Sequence, residues 1–446
     1  MTHGPPLACV LLAAGQGTRM RSRTPKVLHE ILGRTLLDWA VAACLESGPE
    51  RMVVVVSPDA DAVRERLPEG VEAAIQEQPL GTGDAVRAAQ AALEGFDGDV
   101  LVLYGDHPLT DPQSLRDLRA THAEAGAAAT VLTFERTAAI GVDFGRIVRD
   151  AEGRIERIVE VRDASAEERA ITEVNSGIYV FRSDDLWPAL QGLDAANDQG
   201  ELYLTDAVEA LGAAGRPVAG HRHPDPTGAL GINTRADMAA AAAILRDRTN
   251  RAHMLAGVTI VDPATTWIDA GVELERDAVV HPFTVLRGET SVAEGAEVGP
   301  HVVAVDAHIG PGAVVGPFCY LRPGADVGAG AKAGTFVEIK NSSLGEGAKV
   351  SHLSYIGDAE IGAGTNIGAG NITANYDGER KQRTTIGRDV HTSSDTVFVA
   401  PVTIGDGAWT AAGSVITDDI PPDALGIARP RQRNIEGYGT RKRSRG

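Results

Sequence analysis

Apolar and polar positions follow one pattern up to about residue 230 and a different pattern in the C-terminal region. In the first region, short apolar runs alternate with amphipathic stretches of helical spacing. This alternation predicts a mostly parallel α/β sheet, whose ligands bind at the carboxyl ends of its strands. We predict strands at Val10 to Ala14, Val53 to Ser57, Val100 to Tyr104 and Thr130 to Phe134, and helices at Leu36 to Glu46 and Asp84 to Leu93.

A period of six residues governs the C-terminal region. Small aliphatic residues recur at this spacing, and most of them are followed directly by glycine. The period matches neither a helix nor a simple strand. It is typical of hexapeptide β-helix repeats, which form a triangular prism with about eighteen residues per turn. The repeated positions are Ile309, Val315, Leu321, Val327, Ala333 and Ile339.

Two cations take the place of glycine in this repeat. Arg322 follows Leu321, and Lys340 follows Ile339. Because the two cations are separated by one whole coil of about eighteen residues, we expect them to stack on one face of the prism. A purely structural solenoid needs neither, so the pair predicts an anion site.

The repeat is imperfect at two places. It loses one residue between Ile339 and Leu344, and it breaks at the segment from Thr373 to Thr384. Interruptions of a solenoid commonly mark functional loops.

A run of strong helix formers separates the two regions. It begins at Thr234 and predicts a connecting helix, with Thr234 or Asn233 as its N-cap. We therefore predict an α/β domain over residues 1–233, a helical linker over 234–257, and a β-helix domain with a basic tail over 258–446.

Composition and charge narrow the class of protein. The formal net charge of −19 argues against a nucleic-acid partner held by bulk electrostatics. No apolar run approaches the roughly twenty residues that span a bilayer, and the N-terminus lacks the pattern of a secretory signal. The three cysteines, Cys9, Cys44 and Cys319, suit reduced thiols in a cytosol. We expect a cytoplasmic protein that does not insert into a membrane.

Phosphate binding by such an acidic chain must come from local clusters of cations. One cluster lies in the C-terminal tail, with Arg429, Arg431 and Arg433 followed by Arg441 to Arg443. A solvated basic tail is an equally good interpretation of this cluster.

The segment after the first predicted strand has the features of a phosphate-binding loop. Gly15 and Gly17 open a helix there, so backbone N–H groups are available to a phosphate. The pair lacks the third glycine of a dinucleotide fingerprint and the ending of a P-loop. Arg19 and Lys26 follow closely, which favours a triphosphate over a nicotinamide cofactor.

A carboxylate ends another predicted strand, at Tyr104-Gly105-Asp106. This position is usual for a metal that bridges phosphates through one or two protein ligands. An aspartate that caps the next helix is the alternative. Gln76 and the turn from Leu80 to Gly83 could press backbone against a flat base.

Taken together, residues 7 to about 235 resemble the sugar-1-phosphate nucleotidyltransferases, whose fold is Rossmann-like. The resemblance rests on a series of motifs in the family's order: Leu12-Ala13-Ala14-Gly15-Gln-Gly-Thr-Arg-Met, Pro25-Lys26, Leu80-Gly-Thr-Gly, Tyr104-Gly-Asp-His-Pro-Leu, Ile158-Val-Glu160, Asn175-Ser-Gly-Ile and Gly231-Ile-Asn233.

The resemblance implies a role for each of these positions. Leu12 to Gly15, with Tyr104 and Gly105, would line the nucleotide site, and Arg19 and Lys26 would neutralise the triphosphate during catalysis. Further roles follow by position: Gln76, Gly81 and Thr82 would read uracil, Gly145, Glu160 and Asn175 would hold the sugar, and Asp106 and Asn233 would bind Mg²⁺. The chain departs from the pattern at Asp84 and His107, where many members are expected to have histidine and a small apolar residue.

A second set of polar residues lies near the break in the repeat. His352 occurs in Ser-His-Leu-Ser-Tyr355, one coil from Arg322 and Lys340. A neutral imidazole accepts a proton near pH 7, and the two cations can hold a substrate phosphate.

This half of the chain resembles the left-handed β-helix acyltransferases. Across the whole chain the resemblance is to bacterial bifunctional N-acetylglucosamine-1-phosphate uridyltransferases and glucosamine-1-phosphate acetyltransferases. Left-handedness follows from the resemblance alone, since parallel crossovers are normally right-handed. The family implies that His352 is the general base and that the site lies at an interface of a homotrimer. The implied sugar-phosphate ligands are Arg322, Lys340, Tyr355 and Asn366, and the implied acetyl-CoA ligands are Ala369, Asn375, Tyr376, Ser394, Ala412 and Arg429.

Three alternatives remain open from the sequence. The chain could be a nucleotidyltransferase whose β-helix only drives oligomerisation, but such a scaffold would not need His352 or the two cations. A zinc hydratase of the same fold would need three clustered histidines among His281, His301, His308, His352 and His391. A nicotinamide oxidoreductase would need Asp38 as its ribose ligand.

The favoured interpretation is a cytoplasmic bifunctional enzyme that makes UDP-N-acetylglucosamine for cell-wall precursors. Its substrates would be acetyl-CoA, glucosamine-1-phosphate, N-acetylglucosamine-1-phosphate and UTP, with Mg²⁺ at the uridyltransferase site. The donor to the oxyanion of the acetyl transfer stays open between a backbone amide and Asn375.

Overall fold

The computed structural model describes residues 5–137, 140, 144–195 and 200–444. The chain divides into two compact units, Met1–Leu245 and Arg246–Gly446. The first is an α/β unit and the second a β-helix, as the two periods of the sequence predict.

The elements of the first unit alternate along the chain. Its strands are β1 (Leu7–Leu12), β2 (Glu30–Ile31), β3 (Arg34–Thr35), β4 (Arg51–Val56), β5 (Val71–Ile75), β6 (Asp99–Tyr104), β7 (Ala129–Glu135), β8 (Arg146–Arg149), β9 (Ile155–Val159), β10 (Glu173–Arg182) and β11 (Val218–His223). Its helices are α1 (Leu36–Leu45), α2 (Asp61–Arg64), α3 (Thr82–Ala88), α4 (Pro112–Ala125), α5 (Ala166–Ala170), α6 (Ser183–Gln191) and α7 (Leu204–Ala213), and α8 (Arg235–Leu255) crosses the division between the units. Short 3₁₀ turns occupy Thr18–Met20, Lys26–Leu28, Ala91–Leu93 and Pro226–Ala229.

The main sheet has the strand order β11-β7-β10-β6-β1-β4-β5, and β8 and β9 extend from β10. Strand β1 is parallel to β4 and β6, whereas β10 is antiparallel to both of its neighbours, β6 and β7. The predicted mostly parallel sheet is therefore confirmed. Apolar side chains cover both of its faces in two separate core clusters.

The predicted elements of this unit form with small shifts at their ends. Strand β1 ends two residues before the predicted end, because Ala13 begins the loop that leads to Gly15. The helix predicted at Asp84 to Leu93 forms as α3 and a separate 3₁₀ turn. The connecting helix begins after Thr234, whose hydroxyl accepts from the Asp237 N–H at 3.1 Å while the Asp237 carboxylate accepts from the Thr234 N–H. This reciprocal capping box makes Thr234 the N-cap.

The second unit is a left-handed parallel β-helix built from short strands. Its strands are β12 (Thr259–Ile260), β13 (Trp267–Ile268), β14 (Glu273–Leu274), β15 (Val279–Val280), β16 (Val285–Arg287), β17 (Ser291–Val292), β18 (Glu297–Val298), β19 (Val303–Val305), β20 (His308–Ile309), β21 (Val314–Val315), β22 (Tyr320–Leu321), β23 (Ala325–Val327), β24 (Lys332–Thr335), β25 (Glu338–Lys340), β26 (Ser342–Leu344), β27 (Lys349–His352), β28 (Tyr355–Gly357), β29 (Ala359–Ile361), β30 (Asn366–Ile367), β31 (Ile372–Ala374), β32 (Thr384–Ile386), β33 (Val397–Val399), β34 (Val402–Ile404), β35 (Trp409–Thr410), β36 (Val415–Ile416) and β37 (Leu425–Gly426). A short helix, α9 (Tyr438–Arg443), follows in the tail.

Successive strands of this unit belong in turn to three parallel sheets, which form the faces of the prism. We call the sheet from β12 to β30 the first face, the sheet from β13 to β36 the second and the sheet from β14 to β34 the third. The six apolar positions of the repeat are fully buried and form the shared core: Ile309, Val315, Leu321, Val327, Ala333 and Ile339.

Both irregularities of the repeat have structural counterparts. Leu321 pairs with Ile339, eighteen residues later, whereas Val327 pairs with Leu344, seventeen residues later. In the coil that contains the second irregularity, Ala359 pairs with Thr384, much further along the chain than one regular coil. The extra residues form a loop between β31 and β32. We call residues 375–382 the insertion loop.

Candidate functional sites

The loop after β1 brings the two predicted phosphate-binding cations onto one acceptor. Leu12 and Ala13 are buried, and a Cβ on Gly15 would meet no atom within 4 Å, so the loop backbone is open there. Gly17 has φ +58 and packs against the Lys26 side chain, where a Cβ would clash. Its lack of a side chain therefore allows the loop to close over Lys26.

Arg19 and Lys26 converge on the predicted metal ligands. Arg19 donates to Asn233 Oδ1 at 2.8 Å, and Lys26 Nζ lies 3.4 Å from the same oxygen. Lys26 also forms an ion pair with Asp106 Oδ2. One ammonium thus contacts both Asp106 and Asn233, which places a positive charge where the sequence predicts a cation.

His107 borders this cluster on its buried side. Its Nε2 lies 3.6 Å from Asp106 Oδ1, which is buried and has no hydrogen-bond partner among the described residues. Burial lowers the pKa of His107, and the Lys26 charge adds to this effect against the opposing charge of Asp106. His107 also contacts the Tyr104 ring, with centroids 5.1 Å apart.

The candidate base-binding residues lie at the start of α3. Gln76 is 7% exposed, and its Nε2 donates to the Gly81 carbonyl at 3.1 Å and to Asp84 Oδ2 at 3.0 Å. Thr82 Oγ1 accepts from the Leu204 N–H at 3.0 Å. The turn therefore places the Gly81 carbonyl beside a Gln76 side chain that two hydrogen bonds hold in place.

Tyr104 and Gly105 lie between this turn and the predicted metal ligand Asp106. The Gly105 N–H donates to the Leu12 carbonyl at 2.9 Å, which fixes the end of β6 against the end of β1. Burial, followed by the charges of Glu160 and Asp106, raises the pKa of Tyr104, although a hydrogen bond with Thr82 opposes the shift. Tyr104 thus lies close to Thr82 of the candidate base-binding turn, to Asp106 and to Glu160.

The candidate sugar-binding residues, Gly145, Glu160 and Asn175, pack against one another. Asn175 donates its N–H to the Gly145 carbonyl at 2.9 Å and its side-chain amide to the Tyr179 hydroxyl at 2.6 Å. A Cβ on Gly145 would approach Glu160 Oε1 to 3.3 Å, so the glycine allows this close packing. Burial raises the pKa of Glu160, and Asp163 and Asp206 raise it further.

In the β-helix, Arg322 and Lys340 do lie on consecutive coils of the second face. Leu321 pairs with Ile339, and the Arg322 N–H donates to the Ile339 carbonyl at 2.8 Å. Arg322 Nη1 donates to Glu338 Oε1 at 2.9 Å. The predicted stacking of the two cations is confirmed.

A third cation, Lys381, joins this pair, and the sequence did not single it out. Interaction with the Lys381 ammonium is the main reason that the pKa of Lys340 lies below its ordinary value. Desolvation and the charge of Arg322 lower this pKa further, while Asp358 raises it. Lys381 lies in the insertion loop, where the six-residue pattern gives no positional signal.

Asp358 interacts both with the insertion loop and with the cations Lys340 and Lys381. Its carboxylate accepts from the side-chain amides of Asn341, at 2.6 Å, and of Asn375. Burial alone would raise the pKa of Asp358, but these hydrogen bonds and the charges of Lys381 and Lys340 outweigh it and lower the pKa. Asn375, predicted to bind acetyl-CoA, is thus engaged in fixing the loop.

His352 and Tyr355 lie on either side of one edge of the prism. His352 ends β27 on the first face, and Tyr355 begins β28 on the second face. Tyr355 pairs with Glu338, which brings it next to the coil of Lys340. His352 is exposed, and its backbone carbonyl accepts from the Ser354 hydroxyl at 2.7 Å.

The remaining predicted ligands are more dispersed. Asn366 is exposed on the first face, paired with Lys349 at the opposite end of the strand from His352. Ala369, Ser394 and Ala412 occupy successive coils of the edge that carries His352, since Asp395 N–H donates to Ala369 O and Gly413 N–H to Ser394 O. Exposed positions include Tyr376 in the insertion loop and Arg429 in the tail.

The geometry does not support the zinc or nicotinamide alternatives. Within the described ranges, no three histidine, cysteine or acidic side chains come together as metal ligands. His301 instead stacks between Phe283 and Phe318, with ring centroids 4.7 Å apart on each side. Asp38, the ribose ligand of the second alternative, accepts from the Thr35 N–H at 3.0 Å as part of the N-terminal cap of α1.

Within the part of the chain that the structure describes, none of the helices has the length and apolar character needed to span a bilayer. The three cysteines are free and buried.

Comparison with known proteins gives matches over nearly the whole chain. Residues 8–271 match the family model described as nucleotidyl transferase. The bifunctional protein GlmU of Streptomyces coelicolor is 52% identical over 98% of this chain and 95% of its own length. The proteins of the same description from Thermobifida fusca and Corynebacterium aurimucosum are 48% and 46% identical, over 99% and 98% of this chain and 96% and 94% of their own lengths. A solved structure of UDP-glucose pyrophosphorylase with UDP-glucose aligns with 55% of this chain and 99% of its own, at 18% identity and a TM-score of 0.45.

Proposed function

We infer the function of this chain from its family, because it belongs to the bifunctional GlmU proteins and carries a nucleotidyl transferase domain. It is a bifunctional enzyme of UDP-N-acetylglucosamine synthesis. Its C-terminal domain acetylates glucosamine-1-phosphate with acetyl-CoA. Its N-terminal domain then transfers UMP from UTP to N-acetylglucosamine-1-phosphate and releases pyrophosphate.

The convergence of Arg19, Lys26, Asp106 and Asn233 is the observation that best supports the uridyltransferase site. We propose that Arg19 and Lys26 neutralise the triphosphate while the sugar phosphate oxygen attacks the α-phosphorus and pyrophosphate leaves. Such reactions depend mainly on positioning and on stabilising charge. The two cations come from the loop after β1, whose backbone from Leu12 to Gly15 would lie against the nucleotide.

The base and the sugar would bind on opposite sides of Tyr104 and Gly105. Gln76, Gly81 and Thr82 would contact uracil on one side. Gly145, Glu160 and Asn175 would contact the sugar on the other. The hydrogen bonds that fix Gln76, Thr82 and Asn175 in place support this arrangement, because a rigid site discriminates better than a mobile one.

The nucleotidyl transferase domain implies dependence on a divalent metal, and we propose Mg²⁺ held by Asp106 and Asn233. The residues fit such an ion: Asp106 Oδ1 is buried without a hydrogen bond, and Asp106 Oδ2 and Asn233 Oδ1 both contact cationic groups. Two oxygen ligands leave room for phosphate oxygens and water, as Mg²⁺ prefers. When bound, the ion would offset charge on the phosphates.

In the β-helix domain, we propose that His352 accepts the proton of the 2-amino group as the amine attacks the thioester. A C–N bond forms, the C–S bond breaks, and the proton returns to the departing thiolate to give free CoA. Arg322, Lys340, Tyr355 and Asn366 would bind the sugar phosphate. The confirmed stacking of Arg322 and Lys340, with Tyr355 on the next coil, supports a phosphate site there.

Acetyl-CoA would lie along the edge of the prism that carries His352. Ala369, Ser394 and Ala412 follow one another on this edge, one per coil, which suits an extended ligand. Asn375 and Tyr376 would contact it from the insertion loop, and Arg429 would approach its phosphates. The oxyanion would accept from a backbone amide or from Asn375.

The enzyme acts on small molecules, and we propose that it does so as a cytoplasmic homotrimer with each acetyl site at a subunit interface. An exposed aromatic stack next to that site supports self-association, because large apolar patches on a surface commonly mark interfaces. The free thiols suit the cytoplasm. We also propose the boundaries 1–233, 234–257 and 258–446 for the two domains and their linker.

Two substitutions test the assignment of separate sites. His352→Ala should abolish acetylation and leave uridylyl transfer intact. Asp106→Ala should do the reverse. Each variant keeps one activity as an internal control for folding. Loss of both activities in a folded His352→Ala protein would refute separate sites, and a fully active uridyltransferase carrying Asp106→Ala would remove Asp106 from the metal site.

A further inference from the structure

The side chain of Gln76 is held in one orientation by two acceptors. Its Nε2 donates to the Gly81 carbonyl at 3.1 Å and to Asp84 Oδ2 at 3.0 Å. A carbonyl and an ionised carboxylate only accept hydrogen bonds. Both N–H groups of the amide are therefore used, and Gln76 Oε1 remains as the acceptor that the side chain offers to a ligand.

Asp84 is itself fixed in position. Its Oδ1 pairs with Arg87 Nη2 at 2.6 Å, and the two residues lie three positions apart on α3. The carboxylate side chain is mostly buried. Rotation of the Gln76 amide by half a turn would place Oε1 against Gly81 O and Asp84 Oδ2, so three acceptors would face one another. Such an arrangement is strongly disfavoured in a buried site.

We propose that Asp84 is a specificity-determining residue, which positions Gln76 as an obligatory acceptor and so favours uracil over cytosine. This inference rests on the proposed contact between Gln76 and the base. Uracil carries a hydrogen on N3, which can donate to Gln76 Oε1. Cytosine has an unprotonated N3, which is an acceptor, so the fixed Oε1 would face it without a hydrogen.

The repulsion between the fixed Gln76 Oε1 and N3 of cytosine distinguishes Asp84 from a residue that merely supports the fold. Discrimination between two ligands is a difference of free energies, and an acceptor facing an acceptor contributes to it by penalising the wrong ligand. An asparagine at position 84 could accept from Gln76 or donate to it through a turned amide. The Gly81 carbonyl would still oppose the turned orientation of Gln76, but the second opposing acceptor would be gone. The turned orientation would then be populated more, and its N–H groups could bind cytosine.

The test compares UTP and CTP as substrates of the full-length enzyme, with N-acetylglucosamine-1-phosphate and Mg²⁺. We expect Asp84→Asn to lower the ratio of kcat/KM for UTP to kcat/KM for CTP by about tenfold or more, chiefly by improving CTP. Asp84→Ala should also lower the ratio. Acetyl transfer by the same samples checks that the protein is folded, and calorimetric binding of UTP and CTP gives the ratio if turnover of a variant is too slow.

Gln76→Ala separates failure of this inference from failure of the proposed function. If Gln76→Ala weakens UTP use while Asp84→Asn and Asp84→Ala keep the wild-type ratio, the base site stands and the role of Asp84 is overturned. If Gln76→Ala changes neither UTP use nor the ratio, the proposed contact between Gln76 and uracil is itself wrong, and the inference fails with it.

Discussion

At the scale of residues, the most informative interaction is the one between the charges of Lys340 and Lys381. Two neighbouring cations repel each other, and the lowered pKa of Lys340 reflects this. Arg322 lies on the preceding coil and adds a third positive charge, although it is paired with Glu338. A dianionic phosphate between these groups would remove the repulsion, so the cluster favours an anionic ligand.

We therefore predict that Lys381→Ala raises KM for glucosamine-1-phosphate about tenfold, since one charge-assisted contact to phosphate is lost. The value of kcat should change less, because Lys381 is not proposed to take part in proton transfer. Steady-state kinetics of acetyl transfer measure both. Lys332→Ala removes an exposed lysine from the first face and serves as the control. An unchanged KM in Lys381→Ala would remove this residue from the site.

A second residue-scale prediction concerns Asp206, whose pKa is raised to about 6 by burial and by Glu209, Asp194 and Asp163. A folded-state pKa above the unfolded value means that ionisation is less favourable in the folded protein. The free energy of unfolding therefore falls as the pH rises from about 4 to about 6, and the loss persists above that range. Asp206→Asn removes the charge and should stabilise the protein at pH 7.5 by about 1 kcal/mol, after allowance for solvent screening.

The gain in stability of Asp206→Asn should be smaller at pH 5 than at pH 7.5. Thermal unfolding at the two pH values measures it. Asp184→Asn is a matched control, because Asp184 also lies in the first turn of a helix but is exposed. A gain that is equal at both pH values would contradict the assignment of the effect to ionisation.

Individual site residues differ in how far the sequence predicts them. Asp106 was predicted because it directly follows a buried strand, and Arg322 because it breaks a regular repeat. Lys381 has no such position, since the insertion loop has no period against which a cation stands out. Asp84 was noted only as a departure from a family pattern, and its hydrogen bond to Gln76 depends on a turn whose geometry the sequence does not specify.

At the scale of elements, the six-residue repeat was the most reliable predictor. Its apolar residue is buried in each coil. The glycine that follows is required because a side chain there would clash with the next coil. A Cβ on Gly328 would lie 2.5 Å from the Leu344 carbonyl oxygen and 3.1 Å from the Gly345 carbonyl carbon, both on the next coil. Backbone atoms cannot move aside as a flexible side chain can, so the coils could not keep this spacing.

Gly328→Ala should consequently destabilise the β-helix by about 1–3 kcal/mol, the usual cost of forcing an extra methyl group into a packed site. Thermal unfolding followed by circular dichroism measures the shift in Tm. The control is Gly439→Ala in the tail, where a Cβ would meet no atom within 4 Å. Equal stability of Gly328→Ala and wild type would show that the coils have space the structure does not display.

Element ends were predicted less well than element types. Strand β1 is shorter than its apolar run, because Ala13 and Ala14 belong to the loop that we propose binds phosphate. The helix after Gly81 divides in two near Ala89, although its amphipathic pattern continues. In both cases hydrophobicity reports burial, which extends beyond the regular hydrogen bonding that defines an element.

At the scale of the whole molecule, the β-helix carries an exposed apolar edge that a scaffold in isolation would not need. Phe283, His301, Phe318 and Phe336 stack in sequence, and the two phenylalanine rings at the end are 5.3 Å apart. Phe318 and Phe336 are 47% and 58% exposed. The same edge continues to His352 and Leu353, so a partner subunit that covers the stack would also adjoin the proposed acetyl site.

Replacement of Phe318 and Phe336 together by serine should therefore weaken the proposed trimer. We expect a lower molar mass by light scattering, with acetyl transfer reduced and uridylyl transfer retained. Val261→Ser, which alters another exposed apolar residue of this unit, should leave the mass unchanged. A trimer of undiminished stability in the double variant would assign the interface to another surface.

The central claim is that one chain carries two consecutive activities, and a single assay tests it most directly. Purified protein receives glucosamine-1-phosphate, acetyl-CoA, UTP and Mg²⁺, while free thiol and pyrophosphate are followed separately. The account predicts that both products appear and that pyrophosphate requires prior acetylation. Pyrophosphate formed only from added N-acetylglucosamine-1-phosphate, with no release of thiol, would contradict it and leave the β-helix as a scaffold.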